Sequence, residues 1–430
     1  MAEGVTEHVY KLEEGVISKR ADTAAKWSGV LLGFSIPVST ALDSVLKVSV
    51  LMFWLLGAGY EKKWGLIRSN PVALLCLVMF GLLIVGGFYG DASWGEVVRY
   101  LGKYSNLLLV PLLIPIFQDA PMRRNGLRAF FLAMIVTLVL SYLISAGLLP
   151  GGGYIKGSES HGIVFRSYIT HNVLVAFSAF GFATLARMTE SPPWRVLWIA
   201  LAVIAAYNVL FMVKGRTGYL VLGVLFVYFF VDWLRWRGLV IAIGCASLLV
   251  VSAFQFSDVF QTRFTETAAD FYMWRSEEVR EERGRGLGLR LVWYQSSLAI
   301  IRDSPVFGVG TGGFEQALAE KVKHSGVPVT GNPHSEYLLI TVQLGLVGLA
   351  ALLYLFYTQW RLSAYLPGLF EQNLARGLLL TFMTTCLVNS SLLDHGEGLF
   401  YAWMSGLLFA GVSRGKQGNR EAVKCLVSRS

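Results

Sequence analysis

Apolar residues fall into twelve blocks separated by short polar or basic stretches. The blocks cover about 27–42, 46–60, 70–90, 105–118, 126–148, 171–188, 196–213, 217–236, 238–256, 336–358, 376–392 and 396–413. A block of about 20 apolar residues crosses a bilayer as a helix, because hydrocarbon offers no partner for the backbone amides and a helix satisfies them internally. The pattern predicts an all-α polytopic membrane protein with about twelve transmembrane helices. The first, second and fourth blocks are short by that rule, so a broken pair or tilted partial spans, and a ten-helix arrangement, is the alternative. An even count puts both termini on one side. Residues 1–256 then hold helices one to nine, 257–335 a large loop, 336–413 the last three helices and 414–430 a basic tail.

Charge orients this array. Loops retained in the cytoplasm keep Lys and Arg. Lys11, Lys19, Arg20 and Lys26 precede the first block; Lys62, Lys63 and Arg68, then Arg123, Arg124 and Arg128, then Arg187 and Arg195, then Arg235 and Arg237 occupy alternate loops; Arg414, Lys416, Arg420, Lys424 and Arg429 end the chain. All fall on one side, which predicts cytoplasmic termini and explains most of the net charge of +9 without nucleic acid. The opposite side carries Arg99, Lys103, Lys156, Arg166, Lys214 and Arg216 outside the long loop. Charge at a span edge is costly and marks a candidate site.

The 430 residues are 54% hydrophobic and 15% charged, which excludes an ordinary soluble domain. The first 26 residues lack the apolar core of a cleavable signal, so the first span is expected to be the targeting signal. Cys76, Cys245 and Cys386 lie within blocks and Cys425 in the tail, leaving no thiol in a translocated loop for a disulfide framework. There is no P-loop, no glycine-rich dinucleotide turn and no fixed-period repeat.

The long loop has its own organisation. Residues 266–285 mix Glu and Arg at helical spacing with Phe271, Tyr272 and Trp274 at one end, predicting a charged, interface-lying helix. LRLVWYQSSLAIIRDSP then places Arg290, Trp293, Ser297 and Ile300 on one stripe of a second helix ended by Pro305. A glycine-rich turn, 308–314, follows, and His334 stands just before the tenth block with Ser335 as helix cap.

GRTG at 215–218, RLVW at 290–293, the P-x-x-G-x-G-x-G-x-F run from Pro305 to Phe314 and PHSEYL at 333–338 occur in an order, and on a topology, that resembles the O-antigen ligase and Wzy-type polymerase superfamily. The likeness covers roughly residues 160–400. It implies a GT-C-type glycosyltransferase of the bacterial inner membrane, its active site facing the periplasm beneath a helical periplasmic loop domain. It further implies an undecaprenyl-pyrophosphate-linked glycan as donor, lipid A core as acceptor in lipopolysaccharide assembly, and functional positions at Arg216, Arg290 and His334.

Elementary chemistry agrees with that implication. Binding a pyrophosphate without a metal calls for cations that stay protonated, and the guanidinium fork matches phosphate oxygens. Arg216 and Arg290 are the expected clamps and Arg166, before the sixth block, a third; Lys214 adds to the local field. His334 titrates in the useful range and is expected to accept the proton of the acceptor hydroxyl or to position it. Direct displacement inverts the anomer. Asp258, Glu315, Glu336 and Asp394 are the carboxylates to check for a two-step, retaining route. No Asp-x-Asp or His cluster indicates a metal, and no cofactor is expected. His161, His171, His324 and His395 read as structural or loop residues. Three classes are weighed: a ligase, a Wzy-type polymerase or oligosaccharyltransferase, and a transporter or flippase. The large loop and the His–Arg grouping favour an enzyme over the transporter.

Overall fold

A computed structural model describes residues 2–150, 156–158, 162–213, 215–256, 261, 262, 265, 268, 286–323 and 326–412. The predicted charged helix at 266–285 lies almost wholly outside the described residues, as do Lys214, His161, His324 and the basic tail. Among the described residues the protein is all-helical.

Eleven helices precede the long loop: α1 (Ala2–Val38), α2 (Thr40–Leu56), α3 (Tyr60–Arg68), α4 (Pro71–Tyr89), α5 (Trp94–Tyr104), α6 (Leu109–Ile116), α7 (Ala120–Ser145), α8 (Tyr168–Met188), α9 (Pro192–Tyr207), α10 (Arg216–Leu234) and α11 (Trp236–Phe256). The loop contributes α12 (Gly286–Asp303) and α13 (Phe314–Val322), and α14 (Glu336–Ser363), α15 (Leu369–Val388) and α16 (His395–Phe409) follow. A helix thus lies over each of the twelve apolar blocks. Among the described residues seven helical stretches are long and apolar enough to cross a membrane, and an eighth is a bent pair, α2 with α3, turned by 119°. The second block is therefore broken, and the fourth begins earlier than its apolar residues, because α5 continues through a short 3-10 turn into α6. The helix α16 is only 15 residues long, yet residues 397–409 are all buried, so it is a core element flanked by longer helices.

An aromatic cluster lies at the centre of this core. Phe400 stacks on Phe130 with centroids 5.2 Å apart and meets Phe177 edge-on, while the Trp403 indole donates to the Gly29 carbonyl at 2.8 Å. Around α16, the apolar stretch of α8 is 83% buried, whereas those of α9 and α10 are only 17% and 22% buried. These last two line the bundle's edge.

The basic loops gather at one end, where Lys26 pairs with Asp119 at 2.6 Å, Arg123 with Glu371 at 3.2 Å and Arg187 with Asp232 at 2.9 Å. The opposite end carries α12, α13 and the entry to α14.

Sequence alone reads LGLVGL as continuous helix, but α14 is broken at Gly345, whose φ of 62° and ψ of −160° no side chain tolerates. The glycine-rich turn fills the break. Val309 and Gly310 donate to the carbonyls of Val342 and Gln343 at 2.8 and 2.9 Å, and Leu346 donates to Pro305 at 2.8 Å. The loop supplies the partners that a continuous helix would have found within itself.

Candidate active site

Helix α15 ends against the cap formed by α12, α13 and the entry to α14, and its last carbonyls lack partners within the helix. Loop residues provide them. Ser335 Oγ donates to Cys386, the Tyr294 hydroxyl reaches Leu387 at 3.4 Å, Arg290 Nη1 donates to Val388 at 3.1 Å, and the Glu336 amide donates to Asn389 at 3.2 Å. The negative end of the helix dipole favours a cation, which gives Arg290 a second reason to sit there.

Those contacts bring Arg290 and His334 to the same helix end. Arg290 lies on the stripe expected for α12, whose Trp293, Ser297 and Ile300 are buried. His334 has φ 58°, the left-handed conformation, and Asn332 holds it by accepting from its amide at 2.7 Å, while Ser390 donates to the same Asn332 oxygen at 2.6 Å. The Tyr294 hydroxyl donates to the His334 carbonyl at 2.9 Å. Ser335 caps α14, accepting from Leu338, as the sequence predicts.

A side-chain chain runs on from His334. Asn389 Nδ2 donates to Asp394 Oδ2 at 2.9 Å, which turns Asn389 Oδ1 toward His334 Nδ1 at a long 3.5 Å. An acceptor there favours a proton on Nδ1 and leaves Nε2 as the basic nitrogen. Burial pushes the His334 pKa below its ordinary 6.5, the Arg290 charge pushes it further down, and Asn389 opposes both. Burial raises the Asp394 carboxyl against the Asn389 hydrogen bond and the Lys103 charge. Glu336 is fully buried and accepts from the Tyr104 hydroxyl at 2.6 Å and the Leu392 amide at 2.9 Å, so it braces the turn beneath Asn389.

Arg216 opens α10, which packs antiparallel to α15. The Tyr228 hydroxyl meets Asn373 at 3.3 Å. From that contact Arg216 lies about 18 Å up α10 and Val388 about 22 Å up α15, at about 1.5 Å per residue. Arg216 therefore shares the end of the bundle that holds Arg290 and His334. Gly218, two residues on, has a packing role: a Cβ there would lie 2.6 Å from the Asn172 Cβ, so glycine lets the α10 N-terminus seat closely against α8. That N-terminus adds amide dipoles to the arginine, an arrangement suited to phosphate.

Arg166 is placed differently from Arg216 and Arg290. It is 4% exposed and ion-paired with Asp43, which is wholly buried, and it donates to the Ser35 carbonyl at 3.2 Å. Its Nε and Nη1 have no hydrogen-bond partner among the described residues. Glu315, on α13, pairs at 3.1 Å with Arg99 of α5, which also pairs with Glu96, and Asp258 is outside the described residues.

Residues 200–353 match the family model described as O-antigen ligase, Wzy_C. The match runs from α9 into α14 and marks this stretch as similar to the O-antigen ligase family. Arg216, Arg290 and His334 fall inside the matched stretch, and Asn389 and Asp394 lie beyond it. Outside comparison with the family model, the chain is 22% identical over 275 residues to an uncharacterized protein of Haemophilus influenzae (strain ATCC 51907 / DSM 11121 / KW20 / Rd), covering 61% of this chain and 65% of that relative. Among solved structures, a chain from the work titled "Structural coordination of polymerization and crosslinking by a peptidoglycan synthase complex" superimposes with a TM-score of 0.45 at 18% identity, covering 81% of this chain and 97% of that one.

Proposed function

We propose that this protein is a GT-C-type O-antigen ligase of the inner membrane. In this reading it moves a polymerised glycan from undecaprenyl pyrophosphate to lipid A core on the periplasmic face. The observation that carries the reading is that Arg290 and His334, both inside the stretch similar to O-antigen ligases, meet at the end of α15. His334 Nε2 takes the proton of the acceptor hydroxyl as its oxygen bonds to the anomeric carbon. The bond from that carbon to the pyrophosphate oxygen breaks, and undecaprenyl pyrophosphate leaves with the added negative charge. Arg290 and Arg216 stabilise this charge, a task for cations aimed at the leaving group. One displacement inverts the anomer. The arginines supply the counter-charge, so transfer runs in chelator. Asn389 and Asp394 act as positioning residues that hold the His334 ring and its tautomer.

The test is transfer by the purified protein in detergent with chelator, offering undecaprenyl-pyrophosphate glycan and lipid A core to the wild type and to His334→Ala. Glycosylated core from the wild type alone is expected. Lengthening of lipid-linked repeats with bare core makes the protein a Wzy-type polymerase instead, and no change in either points to transport.

A further inference from the structure

Between α8, α9 and α10, at the edge of the bundle, lies an apolar cavity of about 570 Å³, within the range of about 300–1,000 Å³ typical of small-molecule sites. Ala183 on α8, Ala202 on α9 and Phe226 and Phe230 on α10 line it, and Arg187 and Arg195 close one mouth. Small residues open the space and rings wall it. Along α10 the lining runs from Leu222 to Trp233, about 16 Å at about 1.5 Å per residue, close to half of a hydrocarbon core of about 30 Å. The groove has the depth of one leaflet.

Its mouth lies at the end of the bundle opposite His334. Trp194, Trp233 and Trp236 are exposed there, as aromatic side chains are at the level of lipid headgroups. Arg187 is paired with Asp232 at 2.9 Å. Arg195 spends only Nε, on the Thr189 carbonyl at 2.9 Å, and has no carboxylate within ion-pair distance among the described residues. Arg235 and Arg237, both exposed, follow Trp233 directly. The mouth carries an excess of positive charge with guanidinium donors left over.

We propose that this groove is a binding site for one anionic phospholipid of the leaflet on the basic-loop side, its acyl chain in the cavity and its phosphate on Arg195. The site is separate from the Arg290–His334 pair and does not depend on the transfer reaction. The competing occupant is the prenyl tail of a donor held at Arg216, since the groove's inner end at Leu222 is about 9 Å along α10 from that residue at about 1.5 Å per residue.

Delipidated full-length protein is titrated with dioleoyl phosphatidylglycerol, dioleoyl phosphatidylcholine and undecaprenyl pyrophosphate, and bound lipid is counted by native mass spectrometry. The wild type is expected to hold one phosphatidylglycerol with at least about fivefold preference over phosphatidylcholine, a difference of about 1 kcal/mol. Arg195→Gln removes that preference, and Ala202→Trp, which fills the cavity, removes the bound lipid. Ala183→Leu is the milder filler should the tryptophan variant fail to fold. Equal retention of the two phospholipids overturns the proposal. So does a filled cavity that loses undecaprenyl pyrophosphate while still binding phosphatidylglycerol.

Discussion

The His334 imidazole lies 5.5 Å from the Trp293 indole, with the two planes 29° apart. Trp293 is itself fixed, its indole N–H donating to the Pro328 carbonyl at 3.1 Å. The ring of His334 is thus held from one face by α12 and from one edge by Asn389, which fits the proposed use of Nε2 as the base.

Replacing this ring separates folding from transfer. His334→Ala and His334→Gly should both lose at least about 100-fold in kcat, the usual worth of a general base. The left-handed backbone favours glycine, so His334→Gly should melt above His334→Ala, by about 1 kcal/mol in stability. Thermal melts beside glycan-transfer rates check both statements.

Arg290 and Asn389 pull the His334 pKa in opposite directions. A base works only when deprotonated, so kcat/KM falls as pH drops through the pKa, which lies below 6.5 in the wild type. Removing the cation in Arg290→Gln raises that pKa and moves the acid limb to higher pH. Asn389→Leu lowers it and moves the limb to lower pH. A pair of pH–rate profiles displaced in the same direction would contradict the arrangement.

Asp394 acts at one remove. Asp394→Ala leaves Asn389 without the acceptor that orients it, and a drop in kcat of about 10–100-fold is expected, the scale seen for outer-shell partners. The KM for the lipid-linked donor should stay within twofold, because no phosphate contact is lost; initial rates at varied donor concentration decide.

For Arg166 the expected effect is on stability. Its removal strands the buried Asp43 carboxylate, a loss of about 3–5 kcal/mol for a buried pair cut on one side. Arg166→Ala should therefore lower the yield of folded protein, and the double change with Asp43→Leu should restore much of it. Normal folding with weakened donor binding would instead return Arg166 to the phosphate clamps named in the sequence analysis.

These residues also mark how far sequence reasoning reaches. Arg290, Trp293, Ser297 and Ile300 share a stripe because helical periodicity is local, and Ser335 caps α14 for the same reason. The Arg166–Asp43 pair joins positions 123 residues apart, and no local pattern encodes it. Asn389 carries only a weak signal, a polar NSS run inside the apolar block 376–392. Asp394 could be named as a carboxylate to check, but its link to His334 depends on how α15 meets the cap. The break in α14 was hidden because Gly345 sits in an apolar run that fits a helix, and only the neighbouring loop requires its unusual dihedral angles. The amphipathic α5 read as loop because its apolar residues are too few to register as a span.

The way the end of α15 is capped also sets an order of assembly. Arg290 and His334 leave the ribosome before the carbonyls and the Asn389 side chain that hold them, the latter 55 residues downstream of His334. Chain order therefore means that neither Arg290 nor the His334 ring can take these contacts until the end of α15 has been synthesised.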